Sequence, residues 1–167
     1  MNQKIRVGLI GYGKAGKAVA TVITEDPRFE LCWIVRRSIS VDTQCQLNAA
    51  VPIIGTEQIS FESLLDQHPV DGLVDFSSSE TVHLYGEVIR NRRIMLVTAI
   101  SAYSESELNY VHSLGRDIRV MCSPNITLGI NFLIVAANLL RKIAPFADVE
   151  ILEQHFKEKP EISGTAR

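Results

Sequence analysis

The sequence predicts an α/β protein built on a doubly wound parallel sheet, followed by the start of an α+β unit. Along residues 5–122, short apolar runs rich in β-branched residues alternate with helical patterns, which is typical of parallel strands joined by crossover helices. After residue 125 the pattern changes to a long apolar helix and a further strand. That change predicts the beginning of a second unit.

The chain opens with a strand, a glycine turn and a helix. Residues 5–10 form a short apolar run, residues 11–16 contain three glycines, and an apolar helical pattern continues to Ile23. A second strand is predicted over residues 29–35. Because parallel strands need a crossover of this kind, the opening is predicted to be a right-handed βαβ unit.

The rest of the first unit repeats this alternation. Residues 38–50 are polar and lack periodicity, which predicts a long loop. Ser104 with Glu107 predicts a capping box, and the serines at 77–79 followed by Glu80 predict another helix N-cap. Further strands are predicted over residues 51–54, 70–76, 94–98 and 118–122, and helices over 61–67, from the serine cap to about 91, and from 104 to 114.

The second unit begins near residues 129–131. A helix that is apolar on most faces is predicted over residues 131–143, and a strand over 149–156. We therefore predict a nucleotide-binding domain over residues 1–130 and an incomplete substrate-binding and catalytic domain over 131–167.

Composition narrows the classes of function. The chain has 167 residues, 22% of them charged, and a net charge of −2, which suits a globular domain and gives no electrostatic case for nucleic acid. Cys32, Cys45 and Cys122 lack metal-ligand spacing, so free thiols are expected, with no disulfide framework and no metal site. No apolar run suits a signal peptide or a membrane span, and we expect a cytoplasmic protein.

The glycine turn predicts a dinucleotide-binding site. Gly11, Gly13 and Gly16 have the spacing G-x-G-x-x-G between a strand and a helix, the context typical of a Rossmann domain. The first glycine permits the turn, the second lets the backbone approach a pyrophosphate, and the third allows close helix packing. A turn that serves packing alone is the alternative. The predicted cofactor-binding residues here are Gly11, Tyr12, Gly13, Lys14, Ala15 and Gly16.

The end of the second strand indicates which cofactor is preferred. An NAD site usually has an acid about 20 residues after the glycines, where it holds the ribose hydroxyls. This chain has Arg36 and Arg37 instead, and guanidinium groups pair well with phosphate. NADP(H) is therefore favoured, with NAD(H) as the alternative. The competing interpretation is a solvated surface pair.

The last residues combine groups that suit an anionic substrate which must be protonated. His155 can exchange a proton near neutral pH, and Lys159 supplies positive charge. The turn formed by Ser163, Gly164 and Thr165 can present backbone N–H groups to an anion.

Four segments, in this order, resemble the dihydrodipicolinate reductase family. The first is the glycine turn, which many Rossmann enzymes share. Residues 74–80 are similar to the family's Asp-Phe-Thr/Ser-x-Pro-Glu segment without its proline, and residues 123–131 are similar to Pro-Asn-x-Ser-x-Gly-Val-Asn. Most specific is the ending, residues 153–166, which is similar to the family's catalytic stretch.

The resemblance implies an NAD(P)H-dependent reductase that converts dihydrodipicolinate to tetrahydrodipicolinate in lysine and diaminopimelate biosynthesis. We also expect the protein to be a homo-oligomer. His155 would be the proton donor and Lys159 its cationic partner, while Ser163, Gly164 and Thr165 would bind a substrate carboxylate. The cofactor cleft would also be lined by Ser123, Pro124, Asn125 and Ile126 at its nicotinamide end, and by Ala99, Ile100 and Ser101.

The chain departs from the family pattern in several places. The family's Gly-Thr-Thr-Gly is here residues 99–102, Ala-Ile-Ser-Ala, and Phe156 replaces the second histidine of a His-His pair. Family members also continue well beyond this point, so we expect either a fragment or a short form that completes itself by oligomerising. Two other functions stay open: a diaminopimelate-dehydrogenase-like enzyme, whose relatives share the first domain, and a non-catalytic NADP-binding module.

Overall fold

A computed structural model describes residues 3–38 and 50–150. The strands are β1 (Ile5–Ile10), β2 (Phe29–Arg36), β3 (Ile53–Gly55), β4 (Gly72–Asp75), β5 (Met95–Thr98) and β6 (Val120–Cys122). The α-helices are α1 (Lys14–Glu25), α2 (Phe61–Gln67), α3 (Val82–Arg92), α4 (Glu105–Leu114) and α5 (Leu128–Ile143). A short 3₁₀ turn, Ser79–Thr81, leads into α3.

The sheet has the topology that the alternating pattern predicts. All five strand pairings are parallel, and the order is β3-β2-β1-β4-β5-β6. The chain runs outward from β1 to β3 and then crosses back to β4, so the strand order reverses between β1 and β4. This is the strand order of a Rossmann fold, and the predicted doubly wound sheet is confirmed.

The two faces of the sheet bury two separate apolar cores, as a doubly wound arrangement requires. From Trp33 onward, successive side chains of β2 point to opposite faces, so Trp33 and Val35 join one core and Ile34 joins the other. The pairing of β2 with β1 shifts by one residue between Leu31 and Trp33, and this bulge brings Leu31 to the same core as Ile34. The first core packs beneath α2, α3 and α4, with α3 between its two neighbours, and the second packs beneath α1.

The buried Trp33 explains why residue 8 is a glycine. Trp33 is fully buried, and its indole Nε1 donates to the His68 carbonyl oxygen at 3.0 Å. A Cβ atom at Gly8 on the adjacent strand would overlap the Trp33 ring. The ring therefore occupies the space that a β1 side chain would otherwise need.

Local signals predicted some element ends and missed others. The strand at Ile5–Ile10, helix α2 and the Ser104–Glu107 capping box are confirmed. The predicted serine N-cap is confirmed in position only. Ser78 is the N-cap residue of the 3₁₀ turn and Glu80 lies in its first turn, but no serine side chain caps that turn or α3. Instead, the Ser77 hydroxyl donates to Asp75 and the Ser78 hydroxyl bonds that of Thr81.

The last described helix starts earlier than predicted and lies on the surface. Helix α5 begins at Leu128 rather than at residue 131, because Thr127 takes the extended N-cap conformation and Gly129 is accommodated within the helix. None of its residues is buried, and the side chains of Leu128, Phe132 and Ile143 are 87%, 69% and 70% exposed. The predicted strand at 149–156 lies almost wholly outside the described residues.

Within the described ranges, no helix is both long enough and apolar enough to cross a membrane. The thiols of Cys32 and Cys122 are free and half-buried. The third cysteine, Cys45, lies outside the described residues.

The end of α3 contains the one non-glycine residue with positive φ among the described residues. Arg93 caps α3 with φ 56° and ψ 36°, a left-handed conformation that costs most residues about 1–2 kcal/mol and that glycine adopts freely. We expect Arg93→Gly to raise the free energy of unfolding by about 0.5–1 kcal/mol, since part of the gain is offset by the greater entropy of glycine in the unfolded chain. Urea denaturation measures this.

The matched control is Arg92→Gly at the preceding helical position. It should lower the free energy of unfolding by about 1 kcal/mol, and it also removes an ion pair with Asp66 at 2.8 Å. Equal destabilisation by both substitutions would contradict the conformational explanation.

Candidate functional site

A cleft opens at the carboxyl ends of the strands, where the strand order reverses between β1 and β4. One part, with a volume of about 510 Å³, is lined by the turn after β1, the end of β2 and the loop after β4. A second part, of about 340 Å³, extends towards the loop after β5. The two parts share Arg37, Ser78 and Glu80, among other residues, and we refer to them together as the switch-point cleft. Ligands of open α/β sheets bind at this position.

The glycine turn forms the floor of the cleft by bringing two backbones together. Gly11 has φ +91°, and a Cβ atom there would lie 2.5 Å from the Phe76 carbonyl oxygen. A Cβ atom at Gly16 would overlap the Gly11 carbonyl oxygen, whereas nothing lies within 4 Å of the same position at Gly13. The turn is therefore tightly packed at its first and third glycines and open at its second, as the predicted roles require.

Helix α1 presents its N-terminus at this turn. Gly13 is the N-cap residue and supplies no side-chain cap, and the first turn contains no acidic residue. Its N–H groups and the positive end of the helix dipole therefore suit an anion.

The other predicted residues of the turn differ in position. Tyr12 lines the cleft and is 8% exposed, and the Lys17 ammonium lies 5.6 Å from the centre of its ring. Ala15 lines the second part of the cleft. Lys14 is exposed in the first turn of α1 and is not among the lining residues.

Both predicted arginines lie at the cleft. Arg36 ends β2 and is half-buried, while Arg37 follows it and is exposed. The Arg37 Nη2 atom donates to the Ser78 hydroxyl oxygen at 3.2 Å and lies 3.9 Å from a Glu80 carboxylate oxygen. The Arg37 side chain thus crosses from the β2 side of the cleft to the loop after β4.

The loop after β5 closes the far end of the second part. Its lining includes Ala99, Ile100 and Ser101, and the Ala99 N–H donates to the Asp75 carbonyl oxygen at 3.1 Å. These three predicted cofactor-binding residues therefore lie beside the loop after β4.

The segment after β6 begins at the same edge of the sheet. The Ser123 N–H donates to the Thr98 carbonyl oxygen at 3.0 Å, which places residue 123 next to the end of β5. The Asn125 carbonyl oxygen accepts from the Asn131 side chain at 2.7 Å. Ser123, Pro124, Asn125 and Ile126 are not among the residues that line either part of the cleft.

A buried carboxyl group supports the loop after β4 from below. Asp75 is fully buried and accepts three hydrogen bonds: two from the Ser77 N–H and hydroxyl, at 2.8 and 2.6 Å, and one from the Tyr85 hydroxyl at 2.6 Å. Burial raises the pKa of Asp75 above its usual range, although these hydrogen bonds act to lower it. Burial, with the adjacent Asp75 carboxyl, also raises the pKa of Tyr85.

The polar network extends towards β5. The Tyr103 hydroxyl bonds the Thr98 hydroxyl at 2.9 Å, and burial is the main cause that raises the pKa of Tyr103 to about 12. Because Tyr85 and Tyr103 also interact, the network links the end of β4, helix α3 and the end of β5.

Sequence reasoning missed several residues of the cleft. Ser77, Ser78 and Glu80 belong to a segment that resembles a family motif, so the sequence does carry a signal for them. Thr56 in the cleft and Tyr85, the α3 partner of Asp75, carried no such signal, because nothing local to them indicates which loop they meet.

The predicted catalytic and substrate-binding residues come from the last part of the chain. His155, Lys159, Ser163, Gly164 and Thr165 all fall outside the described residues. Over residues 3–38 and 50–150, no group of three or more His, Cys, Asp or Glu side chains lies close enough to hold a metal ion.

Fold and cleft together define a Rossmann-type dinucleotide-binding domain. The family model for the N-terminal part of dihydrodipicolinate reductase matches residues 5–126. The chain belongs to the dihydrodipicolinate reductase family.

Curated relatives support this assignment. A 4-hydroxy-tetrahydrodipicolinate reductase of Caldanaerobacter subterraneus subsp. tengcongensis is 31% identical over 92% of this chain and 57% of its own length. A protein of the same name from Bartonella tribocorum is 27% identical over 97% of this chain and 62% of its own length. The chain therefore spans about three-fifths of the length of these relatives.

Solved structures agree on the fold. A dipicolinate-bound dihydrodipicolinate reductase from a Paenisporosarcina species superposes with a TM-score of 0.73 and 22% identity, over 98% of this chain and 63% of that one. The scyllo-inositol dehydrogenase of Lactobacillus casei with bound NAD(H) superposes with a TM-score of 0.60 and 14% identity, over 87% of this chain and 43% of that one.

The buried Asp75 network gives a stability prediction. Tyr85→Phe leaves a buried acceptor short of one donor, so we expect it to lower the free energy of unfolding by about 1–3 kcal/mol at neutral pH. A raised pKa in the folded protein means that ionisation of Asp75 destabilises the fold as pH rises through the carboxyl range. Loss of Tyr85 raises that pKa further, so the difference from wild type should shrink as pH falls through the raised pKa of Asp75 in the two folded proteins. Urea denaturation between acidic and neutral pH measures both effects.

The control is Tyr110→Phe, which removes a hydroxyl that donates to the exposed Glu87 carboxylate at 3.0 Å. Its cost should be below about 1 kcal/mol. Equal costs for the two variants would contradict a structural role for the Asp75 network.

Proposed function

We propose that this chain carries the cofactor-binding part and the first catalytic residues of an NAD(P)H-dependent reductase. Its substrate is the cyclic unsaturated dicarboxylate dihydrodipicolinate, which it reduces to tetrahydrodipicolinate in lysine and diaminopimelate biosynthesis. The observation that carries this proposal is the family membership of residues 5–126. The reductase names of its relatives and the dipicolinate bound to one fold neighbour support it.

The switch-point cleft fits a nicotinamide dinucleotide. The pyrophosphate would lie over the open backbone at Gly13, against the N-terminus of α1. The bound cofactor would supply the hydride. Within the described residues, the chain's own part is to orient the cofactor and to fix the loops after β1, β4 and β5 around it.

NADP(H) is the preferred cofactor in this proposal. Arg36 and Arg37 both line the cleft where β2 ends, and their guanidinium groups can pair with a 2′-phosphate. NAD(H) lacks the 2′-phosphate, so it gives these two guanidinium groups no such partner.

The proton and the substrate contacts come from the chain's last residues. Hydride delivery to a conjugated ring leaves negative charge on the ring, which a proton from His155 and the positive charge of Lys159 would neutralise. Ser163, Gly164 and Thr165 would hold a substrate carboxylate. These roles rest on the family resemblance of residues 153–166, as does the place of Ser123, Pro124, Asn125 and Ile126 at the nicotinamide end.

Three further assignments belong to the same proposal. The cofactor-binding unit covers residues 1–130, residues 131–167 begin the substrate unit, and the protein acts in the cytoplasm as a homo-oligomer.

Association between copies is supported by α5, where eight large apolar side chains are at least 39% exposed. An apolar patch of this kind usually marks an interaction surface, and a second copy presents the same patch.

Titration with both cofactors tests the proposed preference. We expect NADPH to bind about ten-fold or more tightly than NADH, because a hydrogen bond to a charged group contributes about 1.5–3 kcal/mol. Arg37→Ala should reduce the ratio of NADPH affinity to NADH affinity several-fold. Arg116→Ala removes the same charge near the amino-terminal ends of the strands, away from the cleft, and should leave that ratio unchanged. Equal affinities of wild type for the two cofactors would contradict the preference.

Turnover tests the reaction itself. NADPH oxidation should depend on freshly generated dihydrodipicolinate, and His155→Ala should lower kcat about 100-fold or more by removing the proton donor, with NADPH affinity retained. His112→Ala, an exposed histidine in the last turn of α4, is the matched control and should keep full activity. NADPH binding without turnover in wild type would instead indicate a non-catalytic NADP-binding module.

A further inference from the structure

One acidic residue lies in a cleft that otherwise suits anions. Among the described residues, Glu80 is the only acid that lines either part of the switch-point cleft, and it lines both. Its side chain is 79% exposed, and it lines the cleft in which the proposed dinucleotide would place its phosphates. A negative charge in that position opposes anion binding unless a cation offsets it.

Glu80 pairs with one of the two arginines that are proposed to bind the 2′-phosphate. Arg37 lies 3.9 Å from the Glu80 carboxylate and also donates to the Ser78 hydroxyl at 3.2 Å. Both contacts come from the same nitrogen, Nη2, and both partners lie in the loop after β4. Arg37 is therefore directed across the opening of the cleft towards this loop.

We propose that Glu80 is a specificity-determining residue, which competes with the 2′-phosphate of NADP(H) for Arg37. Binding of the phosphate requires Arg37 to exchange the Glu80 carboxylate for the phosphate oxygens. Binding of NAD(H) requires no such exchange. Glu80 thus lowers the affinity for NADP(H) relative to NAD(H). This inference rests on the proposed dinucleotide function.

The geometry limits the size of the effect. The side chains of Arg37 and Glu80 are both 79% exposed, and an exposed ion pair changes an equilibrium by at most about five-fold. Salt screens such pairs, so the effect should be largest at low ionic strength and should fall as salt is added.

A double-mutant cycle tests the competition. Dissociation constants for NADPH and NADH are measured by cofactor fluorescence at low and high salt for wild type, Glu80→Gln, Arg37→Ala and the double variant. Glutamine keeps the shape of the side chain and removes its charge. We expect Glu80→Gln to tighten NADPH binding about three-fold to five-fold and NADH binding by less. In the Arg37→Ala background, the same change should affect both cofactors equally.

Two results would overturn the inference. One is an equal gain for both cofactors in Glu80→Gln, since that indicates general repulsion of phosphates. The other is a gain specific to NADPH that persists without Arg37. Glu25→Gln, at the far end of α1, controls for net charge and should change neither constant.

Failure of the proposed function gives a different result. If wild type binds neither NADPH nor NADH, the dinucleotide function is wrong and the inference is wrong with it. If wild type binds both but prefers NADH, only the cofactor preference is wrong, and the change in the NADPH to NADH ratio still measures competition for Arg37.

Discussion

The close contact between the turn after β1 and the loop after β4 is the constraint on which the rest of the site depends. At Gly11 the backbone has positive φ, and no side chain fits because the Phe76 carbonyl group lies against it. This contact lets α1 begin at Lys14 with its N-terminus at the cleft. A side chain at Gly11 would push the two loops apart and move the helix N-terminus away from the position where strand order reverses.

Buried polar groups hold the same loop from the other side. Asp75 lies just before the Phe76 contact and is bound by Ser77 and by Tyr85 of α3. A carboxyl group is costly to bury without partners, so these hydrogen bonds tie the end of β4 to the helix beneath it. The floor of the cleft is thus fixed by tight packing and buried hydrogen bonds, while the charges at its mouth, on Arg37 and Glu80, are exposed and free to exchange partners.

Apolar side chains are buried in most of the described elements but exposed in α5. Residues of β1 to β6 and α1 to α4 bury two cores against one sheet, whereas the apolar side chains of α5 lie at the surface. Apolar faces are stabilised by contact with other apolar groups, so α5 is the part of the described structure that gains most from a partner.

The sequence by itself determined the elements and their order, since hydrophobic periodicity and local turn chemistry are carried by neighbouring residues. The first strand, α2, the Ser104 capping box and the glycine turn follow from such signals, and so does the sheet topology that they imply. Only the tertiary structure decided that Arg37 contacts Ser78, 41 residues away, and that the Tyr85 hydroxyl donates to the Asp75 carboxyl group. It also showed that the serines before α3 bond side chains rather than cap the helix. Such contacts depend on which loops the sheet brings side by side, and no local pattern in the chain specifies that.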